Sequence, residues 1–473
     1  MQLVEVEDAS TSTTTPSRPV HESSPGSGPP RPARTRLLRR WWPVAALVVL
    51  GVVASGLVVA ARDRAFVARV AGVPGMVRPL DEPPTRLWET RGSTLPGTVL
   101  AADGALVVLA EGQDEWTVTA HEPETGSQRW SAVLAPTSRA GFESTAAICP
   151  ALPGDVGDLV VCLVQVPRVV YSDDASNQEP ARIAVVPLSA RDGTRLGEWD
   201  VRGEIVSMDR VGDDLVIGTV DAAGHMVVER RDARTGDLVW SMITPDVMSS
   251  ATSTAAAALR VLPTVVVISG GGPTLVLDVD DGTEVLTSAR FSGIQVATLG
   301  DGFATWAPVG GGHLHAPDGT ELYRLDGLPA QLYADDRSEP DTLVVDAGPA
   351  VVGHDLDTGA ELWRTRTMLD PQVLVSHRLV VSGASTYGVL DATDGTELWD
   401  ADIGEVLPWN PLSDGSVVIG PGVAPDGSPE LWGRGLSDGV RYWSVPLPED
   451  VRRVDAVAGH LIVRTDDELI VYG

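Results

Sequence analysis

The sequence predicts an all-β chain of repeated four-stranded units, a single β-propeller of eight to nine blades preceded by one transmembrane helix. Three observations carry this reading. A turn motif ending in a large side chain, usually aromatic, recurs eight times; Val- and Leu-rich runs broken by Gly, Pro and Asp fill the intervals; and one uncharged apolar run of 21 residues stands near the start.

The repeated units are AHEPETGSQRW (120–130), SARDGTRLGEW (189–199), RDARTGDLVW (231–240), LDVDDGTEVL (277–286), HAPDGTELY (315–323), HDLDTGAELW (354–363), DATDGTELW (391–399) and GLSDGVRYW (435–443). In seven of the eight, the fourth residue after Gly is Trp, Tyr or Leu, and the second unit carries two extra residues. Successive motif glycines, from Gly126 to Gly439, are 67, 43, 46, 37, 40, 36 and 44 residues apart. In each unit an apolar strand ends in an acidic residue, Asp-Gly or Thr-Gly makes a tight turn because Gly accepts positive φ, and a second strand returns with the large side chain. Two further short strands precede it, as in TLVVDAG before AVVGHDLDTGAELWRT. About four antiparallel strands per 40 residues is a propeller signature, since solenoid coils are shorter. Trp88, Trp130, Trp199, Trp240, Trp363, Trp399 and Trp443, seven of 13 tryptophans, then fall on outermost strands, where each can pack against the neighbouring blade.

The pattern D-x-x-T/D-G-x-x-x-W resembles the repeat of the PQQ-like, or quinoprotein-type, β-propellers, over nearly everything from Thr85 to Gly473. That resemblance implies a propeller, usually of eight blades, and two branches: quinoprotein alcohol dehydrogenases and a non-catalytic outer-membrane assembly lipoprotein. The dehydrogenases hold their quinone in the central funnel with a vicinal disulfide, a stacking Trp, a calcium ion and an Asp base. This sequence has no adjacent Cys pair, so the resemblance to the catalytic branch breaks at a defining feature. The expectation is the non-catalytic branch, with no catalytic, cofactor-binding or metal residue assigned.

Counting repeats sharpens the architecture. HLIVRTDDELIVYG supplies two strands after the candidate strand VRRVDAV but no outermost strand, while PTRLWET offers Trp88 on a strand with no partners before it. Thr85 to Thr90 therefore completes the last blade and fastens the ring, which gives eight whole units plus one shared.

The region before the propeller divides by composition. Residues 1–40 are rich in Ser, Thr, Pro and Gly and read as a disordered cytoplasmic tail. Trp41 to Ala61 is uncharged and spans about 31 Å as a helix, matching a hydrocarbon core of about 30 Å. Arg31, Arg34, Arg36, Arg39 and Arg40 outweigh Arg62, Arg64 and Arg69, so the positive-inside rule puts the tail in the cytoplasm and the propeller outside the cell membrane. A linker over 62–84 joins the helix to a propeller over 85–473.

Net charge is −30, and all 35 basic residues are Arg. Eight arginines and five acids lie before Ala65, leaving 27 basic and 60 acidic residues beyond it, a balance of −33. Such a field repels a phosphate backbone and excludes nucleic acid as a partner.

Motifs that carry chemistry are sparse. Cys149 and Cys162 bracket PALPGDVGDLVV; as a disulfide they would close a loop of about 14 residues worth on the order of 3 kcal/mol, and as thiols they would be small buried residues. Asp278, Asp280 and Asp281 in LDVDDGTE lack the alternation of a calcium loop and read as turn acids facing water. His313 and His315 lie two apart on one strand face, without a third zinc ligand at a recognisable spacing. The second unit is lengthened by QVPRVVYSDDASNQEPARIA (165–184), read as an added polar loop with Tyr171 exposed. The functional expectation is a membrane-anchored, extracytoplasmic binding or scaffold module for a protein or cell-envelope partner. A divergent PQQ-dependent dehydrogenase and a ligand-sensing module are the alternatives.

Overall fold

The computed structural model describes residues 70, 72–80, 82–91, 98–137, 139–140, 143–150, 154, 156–172, 175–201, 204–248, 257–290, 293–307, 311–404 and 409–473. They form nine sheets, each built on four antiparallel strands, one of them with a fifth strand added and one joining the first strand of the chain to the last three, plus one short hairpin, so the ring has nine blades rather than eight. Residues 1–69, including the expected tail and the helix over 41–61, lie outside the described residues. No helix among the described residues is long and apolar enough to cross a membrane.

Closure happens as the repeat count requires. Arg86–Arg91 pairs antiparallel with Glu468–Tyr472, which continues through His460–Arg464 to Arg453–Val457. Thr85 and Gly473 exchange two backbone hydrogen bonds of 3.0 and 3.1 Å where other blades have their Gly turn. Val99, Leu106 and Val108 of the first blade share a buried cluster with Ile462, Leu469 and Val471 of the ninth, so the seam is sealed by core as well as by pairing. The first strands of neighbouring blades touch at several seams, among them Val99–Ala102 with Arg453–Val457 and Asp370–Val375 with Leu412–Ser413. These first strands therefore line the axis.

Seams between blades show why the motif has its form. Trp130 Nε1 donates to the Ala190 carbonyl at 2.7 Å, Trp199 to Ala233 at 3.1 Å, Trp240 to Val279 at 3.0 Å, Trp363 to Ala392 at 2.9 Å and Trp399 to Leu436 at 3.1 Å. Trp88 reaches Pro123 in the same way, and the Tyr323 hydroxyl reaches Leu356. Each acceptor sits three residues before the motif glycine of the next blade. The ring of the aromatic lies over that glycine: a Cβ on Gly193 would be 2.6 Å from Trp130, and one on Gly395 would be 2.5 Å from Trp363. The glycine is thus required twice, for its positive φ and for the space.

At several seams the residue before the aromatic is bulged. Pairing slips between Arg230 and Arg231, between Gly353 and His354 and between Gly433 and Arg434, which places the outer-strand residues Val239, Leu362 and Tyr442 outside the ladder. An extra residue switches the alternation, so the aromatic faces the next blade and its predecessor faces water. Val239, Leu362 and Tyr442 are accordingly exposed.

Candidate binding site in the propeller axis

Two stretches of chain fill the axis near the seventh to ninth blades. The first is part of the expected linker: Val70, Met76 and Val77 are buried, with Val70 and Met76 packed among Val373, Val375, Val418 and Trp432. Val77 donates to the Ser413 carbonyl at 2.9 Å, Arg78 to that of Gly459 at 2.8 Å, and Leu80 to the buried Asp414 carboxylate at 2.9 Å. The second is the connection after Leu328–Pro329. Its segment Ala334–Asp335 runs parallel to Asp370–Val375 on the side away from the rest of that blade, as a fifth and innermost strand. The two meet at Gly75, where a Cβ would be 2.7 Å from the Tyr333 carbonyl.

Tyr333 lines two cavities. One, of about 510 Å³, includes Met76, Arg78, Val99, Ala458 and Gly459; the other, of about 190 Å³, is walled by Tyr333, Trp409, Asn410, Arg453, Val454 and Asp455. Residues 453–455 face the small cavity and 456–459 of the same strand and turn face the large one, so the two lie in succession along the axis with Tyr333 between them. Burial pushes the Tyr333 phenol up from its ordinary value.

The small cavity is backed by charge. Arg453 Nε donates to Asp455 Oδ1 at 2.6 Å, and the buried Arg464 approaches Asp455 Oδ2 at 3.2 Å while donating to Thr98 Oγ1 at 3.1 Å. Burial acts to lower the Arg453 pKa, yet the bond to Asp455 holds it above the ordinary arginine value; burial leaves Arg464 below that value. Two guanidinium groups on one carboxylate leave an excess positive charge at the axis of an acidic protein. Trp409 donates its indole N–H to the Arg452 carbonyl at 2.7 Å, which fixes the ring at the mouth.

The residues singled out from sequence lie elsewhere. Cys149 and Cys162 are joined, with sulfurs 2.04 Å apart, inside the cluster shared by the first two blades. Asp278 and Asp281 accept backbone N–H groups of their own turn, and Asp280 pairs with Arg230 of the preceding blade at 3.0 Å. His315 is stacked on Phe303 and bonded to Thr305 and Gly319, while His313 faces Glu321 at 3.1 Å. Among the described residues no group of three or more His, Cys, Asp or Glu is arranged to hold a metal. The stretch read as a polar loop is instead a long hairpin, Leu159–Ser172 with Ala175–Ser189, in which Tyr171 pairs with Ser176. Tyr333, Trp409, Arg453 and Asp455 were not singled out from sequence; the one signal was the long connection LPAQLYADDRSEPD (328–341).

Comparison with known proteins bears on the repeat. Residues 312–472 match the profile of the PQQ-like family described as outer membrane protein assembly factor BamB. The chain is a β-propeller, and its residues 312–472 carry repeats of the PQQ-like kind. BamB from Moraxella catarrhalis is similar in structure at 15% identity and a TM-score of 0.41, covering 82% of this chain and 99% of its own. The computationally designed Ika8 protein is similar at 17% identity and 0.37, covering 72% and 98%; a eukaryotic initiation factor is similar at 10% and 0.46, covering 84% and 92%. No curated protein matches the sequence. The fold assignment rests on the chain's own nine sheets and its repeated Gly-aromatic seams.

Proposed function

We propose that the chain is a single-pass, membrane-anchored, extracytoplasmic scaffold that binds a protein or cell-envelope partner without catalysis. The observation that carries this reading is the hairpin of the second blade. The blade's first strand pairs only with residues 163–165 and its outer strand only with 183–185, so residues 166–172 and 175–182 pair with each other and with no third strand among the described residues. A two-stranded ribbon is marginal alone in water, and its open edges offer backbone donors and acceptors to an added strand. The match of residues 312–472 to a family described as an assembly factor supports a non-enzymatic role, as does an axis occupied by the chain's own residues. The charge asymmetry around Trp41 to Ala61 and the Cys149–Cys162 bridge support an extracytoplasmic propeller.

The deciding experiment places a photo-crosslinking residue at Gln178 and, as control, at Leu362, in intact cells. A discrete adduct identified by mass spectrometry from position 178 and not from 362 is expected, and equal labelling from both overturns the hairpin assignment. Protease added to spheroplasts should digest the propeller and spare a tag at Met1; the reverse pattern rejects the orientation. The protein should resist alkylation when unfolded until reductant is added. Quinone absorbance and dye reduction on adding PQQ, calcium and an alcohol would replace the scaffold reading with the dehydrogenase one.

A further inference from the structure

We infer that the small axial cavity binds a small organic carboxylate carried on a single ring, taken by the guanidinium fork of Arg453 and bounded by Trp409 and Tyr333. The inference goes beyond the scaffold reading and stands independently of it.

Arg453 is the central group. Its Nε is held by Asp455, and Asp455 is held from behind by Arg464, so the guanidinium is oriented by buried partners. Its two terminal amino groups have no protein partner among the described residues, and half of its side chain is accessible, 51%, at the cavity wall. A planar guanidinium with a fixed Nε presents parallel N–H donors at the spacing of a carboxylate's two oxygens. The carboxylate would also neutralise the excess charge left by two arginines on one aspartate. A phosphate dianion fits less well, because a single fork leaves its remaining oxygens and second charge without partners.

Size and shape narrow the class. About 190 Å³ is roughly six water volumes, enough for one six-membered ring with its acid group and too little for a peptide or a chain of sugars to enter whole. Trp409 and Tyr333 supply flat walls, and the Asn410 amide adds one donor and one acceptor for a ring substituent. A uronic-acid unit of an envelope polymer and a free aromatic acid share this chemistry.

The test uses the full-length protein in detergent, titrated with sodium glucuronate and with sodium benzoate by calorimetry. Glucose and benzyl alcohol serve as neutral matches, and inorganic phosphate as the competing anion. Saturable binding of at least one acid below about 10 mM is expected, with the stronger of the two telling sugar from aromatic source. Arg453→Gln should weaken it about tenfold or more, Arg453→Lys should weaken it less, and Trp409→Ala should weaken it while leaving Arg129→Gln, a surface change in the first blade, without effect. If Arg453→Gln fails to fold, Arg453→Lys decides, since it keeps the charge and removes only the fork. Absence of binding by both acids, equal binding of the neutral matches or of phosphate, or affinity unchanged in the folded Arg453 variants overturns the assignment.

Discussion

Two seams of the same ring differ by one side chain. Between the sixth and seventh blades, Trp363 is buried to 6% exposure, lies over Gly395 and donates to the Ala392 carbonyl. Between the fourth and fifth, the equivalent residue is Leu286, which pairs with Val276 at the same register and is only half-buried among Val296, Phe303 and Val267. There the Val285 carbonyl closes onto Gly319 where an indole would otherwise stand. The contrast teaches that the motif glycine is kept at both seams for its turn, with φ of +73° and +83°, while the aromatic adds a separate interblade staple. One seam has apolar burial plus a buried indole hydrogen bond; the other has apolar burial and only long bonds at its margin, from Arg260 to the Val296 carbonyl at 3.5 Å and from Thr264 to that of Gly302 at 3.4 Å.

The largest test removes a seam altogether. Deleting residues 462–473, or 85–90, takes away strands that complete the ninth blade, and either deletion should lower the melting temperature of the whole propeller in one cooperative step. A melt unchanged by either would mean that the ring does not depend on closure. Next in size, Trp363→Ala should cost about 3 to 5 kcal/mol in denaturant unfolding, and Leu286→Ala about 1 to 2 kcal/mol. Amides of Glu284–Arg290 should also exchange faster than those of Glu361–Arg366, because the unstapled seam opens first. Equal costs and equal exchange would show that the staple contributes nothing beyond area.

How much of this was legible in sequence follows from the range over which each signal acts. The turn, its glycine and the aromatic four residues on are local, so they specified blades, seam and closure, including the unpaired strand at Trp88 that made nine. The indole acceptor three residues before the next glycine was not legible, since it lies 29 to 60 residues from its donor in the most buried seams. The hairpin was misread because its polar residues lack period-two alternation, and Pro180, which has no N–H to give, falls where the pairing slips between Glu179 and Arg182. The axial site was invisible for a different reason: Tyr333, Trp409 and Arg453 come from three separate blades or connections, and no spacing links them.

Glycine substitution separates the two demands on the turn. Gly104 turns at φ +67° in open space, with no atom within 4 Å of where a Cβ would stand, whereas Gly395 turns at +73° beneath Trp363. Gly104→Ala should cost about 1 kcal/mol for backbone strain, and Gly395→Ala about 2 to 4 kcal/mol for strain plus displacement of the ring. In a Trp363→Ala background the Gly395→Ala cost should fall toward that of Gly104→Ala. A cost that stays full in the double variant would mean that the ring and the glycine do not meet in solution.

The smallest effect is set by pH and should touch both kinds of seam alike. Hydrogen bonds from the Thr two or three residues on hold Asp192, Asp281, Asp318, Asp355 and Asp394 below the usual carboxylate range in their turns. A folded-state value below the unfolded one contributes stability that is complete above the unfolded value of about 3.9 and is lost as pH falls through the folded value. Above that window, neutralising part of the −30 net charge works in the other direction, so the melting temperature should be flat or rise slightly from pH 7 to about 5 and then fall below about 4. Asp318 serves the turn facing Leu286 and Asp394 the turn beneath Trp363, so Asp318→Asn and Asp394→Asn should each reduce the acid-side fall by a similar amount. The difference in stability between the native protein and Trp363→Ala should therefore be the same at pH 7 and at about pH 3.5. A difference that shrinks with acid would show that the turn carboxylates hold the staple in place, and the two seams would then differ in electrostatics as well as in packing.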